Sequence, residues 1–146
     1  MDQRVSMITL GVADVPAARS FYERLGWAVT VTDGDIVMFQ AGGMIVSLWW
    51  RDKLDVDGGV ADRGGYGHAA LAHAVADADA VNAVCRQAVE AGASITRAPG
   101  EKPFGYSGVF ADPDGHTWEV AWVRGWSLHA DGTVGLLSSE GPAERG

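Results

Sequence analysis

The chain has 146 residues, 47% of them hydrophobic and 21% charged, with a net charge of −8 and a single cysteine. That length supports one compact domain with its own core, and the acidic balance excludes nucleic acid and anionic membrane surfaces as natural partners. Cys85 alone cannot build a disulfide framework and fits a reducing cytoplasm, while the opening MDQRVSMITLGV reads as neither a signal peptide nor a membrane span.

Residues 5–12 are apolar and β-branched, the pattern of a strand. Asp14 follows as a helix cap, with Pro16 in the first turn. Ala18, Phe21, Tyr22 and Leu25 then recur at helical spacing and define one buried face, and Gly26 ends the helix. Residues 27–32 and 35–40 read as strands joined by an Asp33-Gly34 turn. Ala41-Gly42-Gly43 turns the chain into another strand, 44–50.

Residues 51–65 separate two halves. They carry Asp52, Asp55, Asp57 and Asp62 with no apolar period. They read as a solvated linker or, more sharply, as a lid over a pocket mouth. The ligand spacing and closing Glu of an EF-hand are missing.

The second half repeats the order of the first. Residues 66–75 form a strand, and Asp77 or Asp79 caps a helix whose face is Val81, Val84, Cys85, Ala88 and Val89, ended by Gly92. Residues 93–97 form a short strand and 98–104 a longer loop. Residues 105–111 and 116–123 form a hairpin around Asp112-Pro113-Asp114-Gly115, a strong turn signal. In the tail, Trp126, Leu128 and residues 134–137 suggest a small hairpin over a sheet edge, and 138–146 read as disordered. The fold class is therefore α+β, a single domain of two βαβββ modules: 5–50 and 66–123, with the linker 51–65 between them and a tail 124–146.

Within the last strand one acid, Glu119, stands among apolar neighbours. A carboxylate is costly to bury without compensation, so Glu119 is a candidate metal ligand, proton carrier or polar anchor. Its plain alternative is an ion-paired strand residue with no chemistry. The phenylalanine-tyrosine run that closes the first helix, FYERLGW, and the segment FADPDGHTWEVAW together resemble the vicinal-oxygen-chelate superfamily, which includes glyoxalase I, bleomycin-resistance proteins and extradiol dioxygenases. The resemblance covers about residues 5–123. It implies mixed sheets curling around a cavity, usually in a homodimer, and in the enzymes a divalent metal such as Zn, Ni, Mn or Fe.

In such enzymes the metal ligands come from the first and last strand of each module. By this resemblance module two supplies Glu119 and His68. Module one supplies none: Met7 stands near the expected position, and a thioether is a poor ligand for these metals. Residues 44–50, MIVSLWW, offer only Ser47. Two side chains fall short of the three protein ligands of a catalytic zinc site. In regular strands His73 has the opposite parity to His68, and His116 the opposite parity to Glu119, so neither completes the set without a bulge. His73 is expected under the second helix or on backbone, His116 exposed after the turn, and His129 in the tail apart from the site.

One of Trp49 and Trp50 must face the cavity side of its sheet. Tyr66 is in phase with His68, and Phe104, Tyr106 and Arg51 are expected near the mouth. Such a wall suits a flat, partly apolar ligand. Trp118 and Trp122 share the face opposite Glu119 and are expected in the core, as is Cys85 on its helix face. No GxSxG, P-loop, GxGxxG or CxxC motif is present. Two functions follow. The first is a binder of a small organic molecule with an incomplete metal site, sequestering an antibiotic or metabolite. The second is a metal-dependent lyase, isomerase or dioxygenase using His68 and Glu119, or Glu119 acting without metal as a general base in an apolar setting.

Overall fold

The computed structural model describes residues 1–59 and 69–136. Strand β1 (Met7–Val12) leads to helix α1 (Val15–Arg24), then β2 (Val31–Asp33), β3 (Ile36–Ala41) and β4 (Met44–Trp50). A short helix α2 (Arg51–Val56) follows. The second set is β5 (Leu71–Ala74), α3 (Ala78–Ala91), β6 (Ser94–Lys102), β7 (Gly105–Ala111) and β8 (Thr117–Val123). A tail hairpin, β9 (Trp126–Leu128) and β10 (Val134–Leu136), closes the described chain.

Each module is a four-stranded mixed sheet. The orders are β1-β4-β3-β2 and β5-β8-β7-β6, with the first strand of each module parallel to its last. The caps are those the sequence announces. Asp14 accepts from the Ala17 N–H and Asp77 from the Ala80 N–H, each at 2.8 Å, satisfying a donor that the helix start leaves free. Gly92 ends α3 in the left-handed conformation, φ 114°.

One core joins the two modules. It takes Leu10, Val12, Val37, Phe39, Val46 and Leu48 from the first sheet, Phe110, Trp118 and Val120 from the second, and Phe21, Tyr22, Val81 and Cys85 from the helices. Each such large side chain contributes roughly 1.5–3 kcal/mol by leaving water. The helices are also tied end to end: Arg24 Nε donates to the Ala91 carbonyl at 3.0 Å, and Gln87 Nε2 to the Leu25 carbonyl at 2.9 Å.

The DPDG turn is the second tie. Asp112 is buried, and its Oδ1 accepts from the Asp114 and His116 N–H groups at 3.0 and 2.8 Å. Its Oδ2 accepts from the Tyr22 hydroxyl of α1 at 2.7 Å, and that hydroxyl accepts from Trp118 Nε1 at 3.1 Å. Asp114 Oδ1 accepts from the Ala13 N–H at 2.8 Å and pairs with Arg51. His116 Nε2 lies 2.8 Å from the Gly11 carbonyl. Burial, then the Asp112 charge and hydrogen bond, push the Tyr22 hydroxyl well above its ordinary range, so it stays neutral and donates.

Several expectations need correction. His116 is half-buried and bonded to module one rather than exposed. The first hairpin turns on Gly34-Asp35, one residue later than expected, because Asp33 pairs with Ile36. Residues 98–102 are strand, not loop: β6 runs to Lys102 as a sheet edge, where Pro99 is tolerated because an edge strand needs no ladder on both sides. Val89 is 49% exposed, because the apolar stripe of α3 drifts toward Ala91. The linker opens with α2, whose Leu54 packs over Gly11; a Cβ there would stand 3.1 Å from Leu54 Cδ2.

Cys85 is buried, and burial raises its thiol pKa. It should react with iodoacetamide only on unfolding, so native protein followed by mass spectrometry should remain unmodified while urea-unfolded protein takes up one label.

Candidate functional site

Strand β8 alternates its faces. Trp118, Val120 and Trp122 pair across to Phe110, Gly108 and Tyr106 of β7 and look toward α3, while Glu119 pairs with Val109 and with Ala72 of β5 on the other face. Trp118 is in the core, stacked on Phe110 at 6.4 Å between centroids. Trp122 is half-buried, with the Arg124 guanidinium 5.3 Å over its ring.

Three strands bring polar side chains together on the Glu119 face. Arg97 of β6 points its Nη2 at Ser107 Oγ of β7, 2.8 Å away, and at Glu119 Oε1 of β8, 3.3 Å away. Ser107 is fully buried beneath the pair, whereas about a third of the Glu119 and Arg97 side chains remains open to solvent. Glu119 is thus an ion-paired group at a wetted face, not an acid in an apolar shell. Around it the face is built from small or short side chains: Ala72, Ala74, Ala121, Val109 and Val123.

Arg97 went unnoticed in the sequence because strand arithmetic hides it. Ile95 pairs with Phe110 on the helix face, yet Arg97, two residues on, pairs with Val109 on the Glu119 face. A bulge between them supplies the extra residue, and a second lies between Arg97 and Gly100. Bulges re-aim side chains in this way. A regular strand would set Arg97 opposite Gly108, where Pro99 and the Cys85 sulfur already stand within 2.9 Å of any Cβ. A charge there would be buried without a partner.

In module one, Ser47 of β4 takes the place of Glu119. It pairs with Thr9 as Glu119 pairs with Ala72, and Thr9 and Ala72 each precede their helix cap by five residues. Ser47 is fully buried and its Oγ lies 2.8 Å from Thr9 Oγ1. Trp49 shares this face, while Trp50 lies on the opposite one and packs against the core. Among the described residues no three of His, Cys, Asp and Glu come together. With Glu119 committed to Arg97 and Ser47 in the matching position, the described residues do not fit a divalent metal.

The remaining expected site residues scatter. His68 and Tyr66 lie outside the described residues. Tyr106 belongs to the helix face, where its hydroxyl donates to Asn82 Oδ1 at 3.0 Å, so it does not line the Glu119 side. Phe104 is exposed in the β6–β7 turn, and Arg51 starts α2 and pairs with Asp114. His73 pairs with Val120, on the face away from Glu119; its side chain is exposed rather than packed under α3, and the desolvation it does undergo lowers its pKa. A cavity of about 240 Å³ lies at the far end of the second sheet, walled by Ala74, Val75, Ala76, Trp122, Val123, Trp126, Leu128 and Val134. The sequence pointed to none of these as cavity walls.

The fold and face define a class: an α+β protein of two βαβββ modules with mixed sheets and, among the described residues, no closed barrel. Residues 4–120 match the model of the Glyoxalase/Bleomycin resistance protein/Dioxygenase superfamily, and the chain belongs to that family. A glyoxalase-related enzyme from Fulvimarina pelagi is 37% identical, with a TM-score of 0.85 over 93% of this chain and 99% of that one. A family member from Burkholderia phytofirmans PsJN, 19% identical, gives 0.72 over 81% and 97%. Lactoylglutathione lyase from Agrobacterium tumefaciens, 21% identical, gives 0.62 over 82% and 92%. The last two show likeness of fold alone. No curated protein matches the chain. No helix among the described residues is long and apolar enough to cross a membrane.

Proposed function

We infer that the chain binds a small organic molecule on the Glu119 face of module two and holds it by polar side chains rather than by a metal. The observation that carries this is the convergence of Arg97, Ser107 and Glu119 from three strands on a face otherwise lined by small residues. Sequestration of an antibiotic or metabolite is the function in keeping with such a site. A homodimer is part of the reading. The tail hairpin exposes Trp126, Leu128, Val134 and Leu136 by 44, 41, 40 and 76%, an apolar set suited to a second copy. The lone Cys85 suits the cytoplasm.

A second reading is an enzyme, a lyase, isomerase or dioxygenase using His68 and Glu119. It is favoured by the 37% identity to a protein described as a glyoxalase-related enzyme.

Metal analysis separates the two. Protein purified without chelator is expected to carry no stoichiometric Zn, Ni, Mn or Fe, and aromatic small molecules should shift backbone amide resonances of β6–β8. One equivalent of metal that disappears in Glu119→Ala would sink the binder. Light scattering on the eluting protein should give twice the 15.4 kDa chain mass.

A further inference from the structure

We propose that the cavity beneath the tail hairpin is a second small-molecule site, one that takes an uncharged aromatic ring or fused ring pair carrying a single hydrogen-bond donor. The site is separate from the Glu119 face. Val123, which walls the cavity, lies four residues beyond Glu119, roughly 13 Å along a strand.

The hairpin is built as a flap with an apolar underside. Leu128 pairs with Val134 and Trp126 with Leu136, so all four side chains lie on one face of the two strands. Three of them, Trp126, Leu128 and Val134, wall the cavity, which turns that face toward the body of the protein. Yet the same three stay 40–44% exposed, because the space of about 240 Å³ beneath them is not filled by protein. A hairpin of two three-residue strands has little stability of its own, so an occupant of this space also holds the flap down. Gly125, at φ 84°, turns the chain from β8 back into β9. Leu136, 76% exposed, lies outside the walls and stays available to a second copy.

Size and chemistry select the occupant. The volume exceeds the ~150 Å³ of an apolar cavity that admits benzene and falls short of the roughly 300–1,000 Å³ of drug-sized pockets. That leaves room for one ring or two fused rings. The walls are alanine, valine, leucine and tryptophan, with no charged side chain among the described residues that line them. The neighbouring Arg124 guanidinium is engaged, over the Trp122 ring at 5.3 Å and with Glu101 at 3.8 Å. A charged ligand would therefore leave water without a partner. The acceptor on offer is main-chain. The Val75 N–H goes to the Ala121 carbonyl of β8, so Ala74, one residue earlier, directs its N–H and C=O to the other side of β5. That side is a sheet edge with which no described strand pairs, and Ala74 is a wall residue. Its carbonyl accepts from a ring N–H or a phenolic hydroxyl.

Four probes titrated into the full chain separate the parts: indole, benzofuran, indole-3-carboxamide and indole-3-carboxylate. Indole should shift the Trp122 and Trp126 Nε1–H resonances and the amides of residues 74–76 and 126–134. It should also slow hydrogen exchange of the hairpin amides. Benzofuran, the same shape without the N–H, should bind about two- to tenfold more weakly. The carboxylate should bind at least about tenfold more weakly than the equally large carboxamide. Ala76→Leu enlarges a wall side chain at an exposed position, so the fold should stand while indole weakens about tenfold or more. Indole shifts centred on Arg97, Ser107 and Val109 overturn this site and leave the Glu119 face as the binding face. Hairpin shifts that follow protein concentration and not indole assign the underside to a second copy and overturn it as well. Equal affinity of wild type and Ala76→Leu, or no shift with indole, also overturns it.

Discussion

Asp112→Ala is expected to lower the free energy of unfolding by about 3–4 kcal/mol, read from the urea midpoint at constant slope. The carboxylate is buried and answers three donors: two backbone N–H groups of its own turn and the Tyr22 hydroxyl. Alanine leaves all three without a partner, and a buried donor so stranded costs roughly 1–3 kcal/mol. Water entering the gap reduces the total below the simple sum. Asp112→Asn keeps an acceptor for the turn but turns donors toward Tyr22, and should cost less than alanine. The hydroxyl can be probed through pH. Its pKa is raised in the folded state above the usual ~10. Its contribution is therefore complete below pH ~10 and is lost as pH rises beyond that, because only the unfolded chain then ionises readily. Wild-type stability should fall above pH ~10, and Tyr22→Phe should be less stable at pH 7 yet fall less steeply there.

Gly105→Ala should be as damaging, about 3 kcal/mol or more, by the same measurement. Gly105 opens β7 at φ 155°, paired with both Val123 and Lys102. A Cβ there would overlap the Trp122 carbonyl oxygen and stand 3.1 Å from its carbonyl carbon. These are backbone atoms of the central strand β8, so they cannot turn aside without loss of the ladder. Gly108→Ala is the control. Its Cβ would meet Pro99 Cγ at 2.8 Å and Cys85 Sγ at 2.9 Å. The sulfur can rotate away and Pro99 sits on the edge strand β6, which can shift without breaking a second ladder, so the cost should be about 1–3 kcal/mol, the usual range for overpacking.

The elements were legible because their punctuation is local. Asp14 and Asp77 each cap a helix through their own side chain, and the Gly42-Gly43 turn and the DPDG turn sit between strands of clear alternation. The pairing of modules within the chain was not legible, since Tyr22 and Asp112 are 90 residues apart and neither looks unusual alone. The DPDG turn signalled a hairpin, and its further work, holding α1 and β1, depends on where that hairpin lands. The grouping proposed as the site was half legible. Glu119 stood out as an acid in an apolar strand, and its face followed from alternation. Its partner did not, because period-two counting fails at a bulge: Arg97 reaches Glu119 only through the extra residue between Ile95 and Val109's partner. Tyr106 failed for a related reason, since its face is set by pairing with Trp122 across the hairpin rather than by its place near the turn.

The latch between α1 and the DPDG turn also constrains how the protein is made. Its contacts join residues 90 to 105 positions apart. A ribosome adding roughly 5–20 residues per second needs about 5–20 s to pass from Tyr22 to Trp118. Through that interval Phe21, Tyr22, Trp27 and Phe39, which later share one aromatic cluster with Trp118, lack the ring that completes it. The first half of the chain therefore emerges with part of its aromatic cluster uncovered, and the second half ends that exposure when it arrives.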